Sequence, residues 1–209
     1  PVRSKPIRLS NGKLLAPNSV ESPQSWQPRV DLSEDGGASF REYAQIPLNL
    51  TDPLRDTYLS GKGAIQPALW ESGPGQVHLL LRTTAGYLYR SDSDDNGQTW
   101  CEAYNTGLPN NNSAIEVVRH GGTLYLIMNP ISGNWGSRNP LVIRKSLDNG
   151  RSFDHFLTLA WQETDPLLQT DAEYSYPAAV VQDDRLYVTY TYLRRQIAFH
   201  EIDLTVPSA

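Results

Sequence analysis

An eight-residue pattern, Ser-x-Asp-x-Gly-x-Ser/Thr-aromatic, occurs three times in this sequence of 209 residues. The copies are SEDGGASF, SDDNGQTW and SLDNGRSF, and they begin at Ser33, Ser93 and Ser146. Their starts are 60 and then 53 residues apart, close to the period of about 40–50 residues expected for a four-stranded propeller blade with some loop insertion. The spacing therefore predicts a repeat protein with one copy of the pattern in each marked blade.

The residue types of the pattern predict a tight hairpin turn. Its glycine can adopt a positive φ, its aspartate can accept backbone N–H groups across the turn, and its aromatic residue can pack beneath. We therefore expect Asp35, Asp95 and Asp148 to stabilise the fold and not to act as catalytic acids.

Four hairpins of paired apolar runs give a second periodicity. They are KPIRLSNGKLLAPNS, QPALWESGPGQVHLLLRTT, SAIEVVRHGGTLYLIMNP and YPAAVVQDDRLYVTYTY. We interpret them as the first two strands of four blades, which cover residues 3–48, 64–106, 112–160 and 174–204. Helical periodicity is nearly absent. The predicted fold class is all-β, a β-propeller of four-stranded blades with about four blades present, in one domain over residues 1–209.

The fourth predicted blade has only three strands, and the sequence begins directly at an innermost strand. Closed propellers leave no long sheet edge open. We therefore expect the ring to be incomplete within this chain. Either a preceding segment or further copies in a homo-oligomer would complete it.

Composition argues against several partners. The net charge is −5 and the pI about 5.3, without a basic stripe for nucleic acid. No apolar run approaches the roughly 18 residues of a membrane span. The four histidines lack metal-ligand spacing, so we expect no metal or cofactor. Cys101 follows a tryptophan in a strand-like run, and we expect it to pack as a small hydrophobe. Localisation stays open.

Polar residues occupy the ends of the predicted strand pairs. In a blade, the start of the first strand and the end of the second lie on the same face, near the axis. The residues at these points are Lys5, Gln66, Asn112, Ser113, Tyr174 and Tyr176 at the starts, and Asn18, Arg82, Asn129 and Tyr192 at the ends. A convergent polar cluster of this kind predicts a binding or catalytic site. The alternative is that these side chains form hydrogen bonds with one another and line a water-filled channel.

Together with GAIQPALW, LPNNNSAIEVV and EYSYPAAVV, the three repeats resemble the BNR repeat family of the sialidase (neuraminidase) superfamily, whose repeat motif is the Asp box. The resemblance covers essentially the whole chain. It implies a sialidase-like propeller, a glycan substrate and no cofactor. One architecture hosts many chemistries, so the function depends on the site.

Sialidases use a tyrosine nucleophile paired with a glutamate, an aspartate acid/base and three arginines that hold the substrate carboxylate. Because phenol has a pKa of about 10, a carboxylate must draw off its proton. In EYSYP, the position that resembles the nucleophile is Tyr174. The chain departs from the family pattern at Asn112, where the glutamate is expected, and at Asn129, where one arginine is expected.

The resemblance implies first a glycosidase, a hydrolase that removes terminal acidic sugars. In this hypothesis Tyr174 attacks the anomeric carbon with help from Glu173, and Arg82 and Arg194 bind the carboxylate. Trp135, in the glycine-rich loop SGNWGSRN, is predicted to stack on a sugar ring.

Two alternatives remain open. In a polysaccharide lyase, Asn112, Asn129, Arg82 and Lys5 would neutralise a uronate carboxylate while either tyrosine of the EYSYP segment moves the proton. The asparagines that stand where the family pattern has a glutamate and an arginine favour this chemistry. The other alternative is a propeller that binds glycans without catalysis.

Overall fold

The structure is a computed structural model that describes residues 3–162, 164 and 171–205. The chain divides into two compact units, Pro1–Leu108 and Pro109–Ala209. Regular structure in the described residues consists of β-strands, and none of these residues forms a helix that could cross a membrane.

The first unit contains two four-stranded antiparallel sheets whose strands follow one another in chain order. The first sheet consists of β1 (Ile7–Arg8), β2 (Leu14–Glu21), β3 (Trp26–Ser33) and β4 (Arg41–Gln45). The second consists of β5 (Ala64–Gly73), β6 (Gln76–Thr83), β7 (Tyr87–Ser93) and β8 (Tyr104–Pro109). Alternating apolar residues such as Leu15, Val30 and Leu79 are fully buried in one shared core, as expected for strands with one face turned inward.

The second unit contains a four-stranded and a three-stranded antiparallel sheet, again in chain order. The four-stranded sheet consists of β9 (Glu116–His120), β10 (Thr123–Met128), β11 (Leu141–Ser146) and β12 (Asp154–Ala160). The three-stranded sheet consists of β13 (Tyr174–Gln182), β14 (Arg185–Tyr192) and β15 (Gln196–Asp203). Ile127, Ile143 and Val188 are fully buried in the core of this unit.

The predicted fold class is confirmed: the four sheets fall on the four predicted hairpins, and the described part of the last sheet has three strands. Each Asp box connects the third and fourth strands of a sheet. In the second box, Asp95 accepts the backbone N–H groups of Gln98 at 3.0 Å and Thr99 at 2.8 Å. Ser93 donates its hydroxyl to the same carboxylate at 2.8 Å.

The other two boxes repeat these contacts. Hydrogen bonds from Ser39 hold the pKa of Asp35 well below its ordinary value, and those from Ser152 do the same for Asp148. The carboxylates are thus committed to their own turns, which confirms their predicted role in the fold.

The prediction for Cys101 is wrong, because its side chain is exposed. The preceding Trp100 takes the inward position and is only 8% exposed, and the next side chain therefore points outward. The Cys101 sulfur accepts the backbone N–H of Asp92 at 3.3 Å.

Candidate functional site

A cavity of about 360 Å³ in the second unit brings together several of the predicted site residues. Its wall includes Trp135 and Arg138 from the loop of residues 129–140 that follows β10, Glu173 just before β13, and Arg194 from the turn after β14. The cavity lies at the start of β13, the first strand of the three-stranded sheet, and at the ends of β10 and β14, the second strands of the two sheets in this unit. This is where the strand pattern predicts a site.

Buried asparagines hold the loop of residues 129–140 in place. Asn111, which is 2% exposed, donates its side-chain amide to the backbone oxygens of Gly136 at 3.0 Å and Ser137. Asn112 donates to the side-chain oxygen of Asn134 at 2.9 Å. Buried polar groups of this kind stabilise a structure when they are paired. Here the pairing fixes the loop that carries Trp135.

Asn129 connects the same loop to β13. Its fully buried amide donates to the backbone oxygens of Pro140 at 2.8 Å and Tyr174 at 3.0 Å. An amide with two short bonds to the backbone has no N–H left for a substrate carboxylate. Its position thus supports a structural role.

Glu173 is the electrostatic centre of the cavity wall. Its carboxylate accepts hydrogen bonds from Arg138 Nη1 at 3.1 Å, Arg194 Nε at 2.6 Å and the Ser175 hydroxyl at 2.9 Å. Burial alone would raise its pKa, but the hydrogen bonds from Arg194 and Ser175 and the charges of both arginines hold the pKa below its ordinary value. Two guanidinium groups therefore meet at one carboxylate.

The two tyrosines of the EYSYP segment have opposite environments. Tyr174 is 1% exposed, and its ring packs against Tyr190 and Tyr192 with centroids 6.4 and 5.2 Å away. Tyr176 is 46% exposed, and the guanidinium of Arg138 lies over its ring, 5.1 Å from the centroid. A nucleophile must be reachable by substrate. The assignment of Tyr174 stays a prediction, and exposure favours Tyr176.

Three residues at equivalent places in successive sheets share a left-handed backbone. Gln66, Asn112 and Tyr176 have φ values of 54°, 57° and 54°. This conformation is uncommon for residues other than glycine and concentrates at functional sites. The shared conformation makes Asn112, and not the neighbouring Ser113, the equivalent of Gln66 and Tyr176 in its sheet.

The first unit holds three of the predicted binding residues. Arg82 is 3% exposed and donates from Nη1 to the side-chain oxygen of Gln66 at 3.1 Å. The Gln66 backbone N–H donates to the Ser19 hydroxyl at 2.8 Å. Lys5 is half-buried. The structure joins Gln66 to Arg82, and the roles of all three in substrate binding stay predictions.

Sequence reasoning missed Arg138, which contacts both Glu173 and Tyr176. Its one sequence signal is its place in the same glycine-rich loop as Trp135. Trp135 itself is 65% exposed with φ of 65°, so its ring is accessible at the cavity wall.

Comparison with known proteins agrees with this architecture. A family model described as a BNR repeat-like domain matches residues 1–188. No curated protein matches the sequence. Among solved structures, a Hadza microbial sialidase is similar with a TM-score of 0.69 and 16% identity, over 96% of this chain and 37% of that chain.

Two further sialidase structures are similar. The Trypanosoma rangeli sialidase in complex with sialic acid has a TM-score of 0.64 and 19% identity, over 95% of this chain and 30% of that chain. A mutant of the NanB sialidase from Streptococcus pneumoniae has a TM-score of 0.61 and 18% identity, over 90% and 27%. The chain thus spans about a third of the length of these proteins, and likeness at this identity shows the fold.

Proposed function

Since the chain belongs to the family of BNR repeat-like domains, we propose that it acts on glycans bearing acidic sugars as a sialidase-like exo-glycosidase. The observation that carries the proposal is the meeting of Arg138 and Arg194 at one carboxylate on the wall of a cavity. Guanidinium groups are the preferred partners of carboxylates because their planar N–H pairs match the two oxygens.

The arginine pair provides the carboxylate-binding part of the site. The Arg194 side chain is 71% exposed, so its terminal N–H groups can reach a ligand while Nε stays on Glu173. The Arg138 side chain is 13% exposed and fixed between Glu173 and the Tyr176 ring. A largely buried and an exposed guanidinium together would hold the carboxylate of an acidic sugar at the cavity wall, and Trp135 would stack against the ring of that sugar.

In this proposal Tyr176 is the nucleophile. It lies three residues after Glu173, near the start of β13, and has an exposed side chain and a left-handed backbone. The ionised Glu173 would assist removal of the phenolic proton, and Arg138 would steady the tyrosine ring. A neighbouring carboxylate is the activating group that a phenol needs near neutral pH.

The asparagine contacts favour hydrolysis over elimination. A lyase would require Asn112 and Asn129 to neutralise a uronate carboxylate, yet their amides donate to Asn134, Pro140 and Tyr174. The arginine pair is the stronger carboxylate partner among the described residues around this cavity.

Carboxylate recognition is tested by comparing two ligands that differ in one charge. We expect the chain to bind free sialic acid in calorimetric or NMR titration, and to bind its methyl ester at least about tenfold more weakly. A charged hydrogen bond contributes about 1.5–3 kcal/mol, and 1.4 kcal/mol is a factor of ten. Equal affinities for sialic acid and its methyl ester would show that the arginines do not bind the carboxylate.

A further inference from the structure

A second cluster of reactive side chains lies in the first unit, on the sheet formed by β5–β8. The Ser72 hydroxyl is 2.7 Å from His78 Nε2, and His78 Nδ1 is 2.5 Å from the Asp92 carboxylate. A hydroxyl, an imidazole and a carboxylate linked in this order form the constellation that activates a serine for nucleophilic attack. The arrangement is recognised by its geometry and occurs on unrelated folds.

The sheet register explains how the three residues meet. His78 of β6 lies directly opposite Trp70 of β5 and Asp92 of β7. Ser72 follows Trp70 by two residues, so the pleat places it near the same face, next to the irregularity between Glu71 and Gly73. Three neighbouring strands thus supply one residue each.

Asp92 is fixed in its ionised form. It accepts Arg90 Nε at 2.8 Å and the Tyr104 hydroxyl at 2.7 Å in addition to His78. Burial would raise its pKa, but the hydrogen bonds from His78, Tyr104 and Arg90 lower the pKa to about 2. Arg90 Nη2 also approaches His78 Nδ1 at 3.2 Å. We assign the imidazole proton to Nδ1, because a carboxylate oxygen can only accept and its contact is the shorter of the two, and this leaves the Nε2 lone pair to accept the Ser72 proton.

A cavity of about 460 Å³ adjoins the cluster. His78 and Asp92 form part of its wall, together with Gln76, Thr99, Trp100 and Cys101. Ser72 lies beside the cavity and not in its wall: its hydroxyl is 2.7 Å from His78 Nε2 and 3.3 Å from the Gln76 side-chain oxygen, and both of these residues line the cavity. Ser72 is half-exposed, and the proposal places the ester at the edge of the cavity next to it.

We propose that Ser72, His78 and Asp92 form a second active site, which hydrolyses short-chain, uncharged carboxylic esters. The carboxylates of Asp92 and Asp94 at the cavity disfavour anionic ligands, and the Trp100 side chain offers an apolar contact to a small acyl group. This proposal concerns the first unit alone and does not depend on the glycosidase activity proposed above.

The reaction proceeds in two balanced steps. Ser72 Oγ attacks the ester carbonyl carbon while its proton moves to His78 Nε2. The bond between the carbonyl carbon and the alkoxy oxygen then breaks, and the alcohol leaves with that proton. Water then attacks the acyl-serine, passes a proton through His78, and releases the carboxylic acid and free Ser72. Asp92 is a positioning residue that acts through His78.

The test is covalent labelling of the full chain with a fluorophosphonate probe, followed by peptide mass spectrometry. We expect one label per chain, on Ser72, and hydrolysis of 4-nitrophenyl acetate that Ser72→Ala reduces at least about 10²-fold. Ser60→Ala, at an exposed serine of the same unit outside the cavity wall, is expected to leave both readouts unchanged. Asp92→Asn is expected to lower kcat without raising KM.

A label elsewhere, or parental ester hydrolysis by a folded Ser72→Ala variant, would overturn the proposal. Circular dichroism confirms that each variant is folded. If Ser72→Ala lowers only the melting temperature and the parent protein takes no label, the three residues form a structural hydrogen-bond network and nothing more.

Discussion

Replacing Tyr176 by phenylalanine is expected to lower the turnover of a sialic acid glycoside at least about 10²-fold, the loss typical of a missing proton-transfer or nucleophilic group. The change removes one oxygen from a side chain that is 46% exposed, and the ring remains beneath the Arg138 guanidinium. Stability should therefore change little. Initial rates of sugar release, together with the melting temperature, measure both effects.

Two matched variants separate this role from packing. Tyr187→Phe alters a tyrosine of β14 that stacks on Phe199, 6.1 Å between centroids, and it should retain parental turnover. Tyr174→Phe tests the other tyrosine of the segment, whose hydroxyl is 3.3 Å from the Gln162 side-chain oxygen. Turnover lost in Tyr174→Phe and kept in Tyr176→Phe would return the nucleophile to Tyr174.

Replacing Arg138 by alanine is expected to weaken the binding of sialic acid about 10- to 150-fold, since a hydrogen bond to a charged group contributes about 1.5–3 kcal/mol. The variant also removes the contacts of Arg138 with the Glu173 carboxylate and with the Tyr176 ring. Turnover should therefore fall together with affinity. Arg138→Lys keeps the charge and loses the planar pair of donors, and should recover only part of the affinity. Titration calorimetry measures each dissociation constant.

Arg151 provides the control for this substitution. It is an exposed arginine of the third Asp box, and its backbone N–H donates to the Asp148 carboxylate at 3.0 Å. Arg151→Ala changes the net charge of the same unit by the same amount and should bind sialic acid like the parent. If both variants weaken binding equally, the effect of Arg138 is one of overall charge and not of local recognition.

The fold was predictable because the Asp box recurs in three of the sheets and the apolar hairpin in all four. The Asp95 carboxylate accepts the backbone N–H groups of its own turn. Because this turn requires the same residues in each copy, it appears in the sequence as a motif with fixed spacing. Glu173 and Arg194 were proposed from the family resemblance and Trp135 from its loop, and the structure places all three on one cavity wall. Their roles stay predictions.

The remaining site residues depend on geometry that carries no repeat signal. A register shift between Ser175 and Ala178 interrupts the strand alternation, so the sequence does not reveal which tyrosine faces outward. Arg138 lies in an irregular loop whose path is set by amide contacts from Asn111. Such contacts join residues 25 positions apart, and residue types alone do not specify them.

Product analysis after incubation of the protein with a glycan that ends in sialic acid tests the proposed hydrolysis most directly. The account predicts release of free sialic acid, a reducing acidic sugar identified by mass spectrometry and NMR. Parallel incubation with a uronate-containing polysaccharide should give no unsaturated product absorbing in the near ultraviolet. Formation of that unsaturated product, or binding of sialic acid without any release from the glycan, would contradict the account.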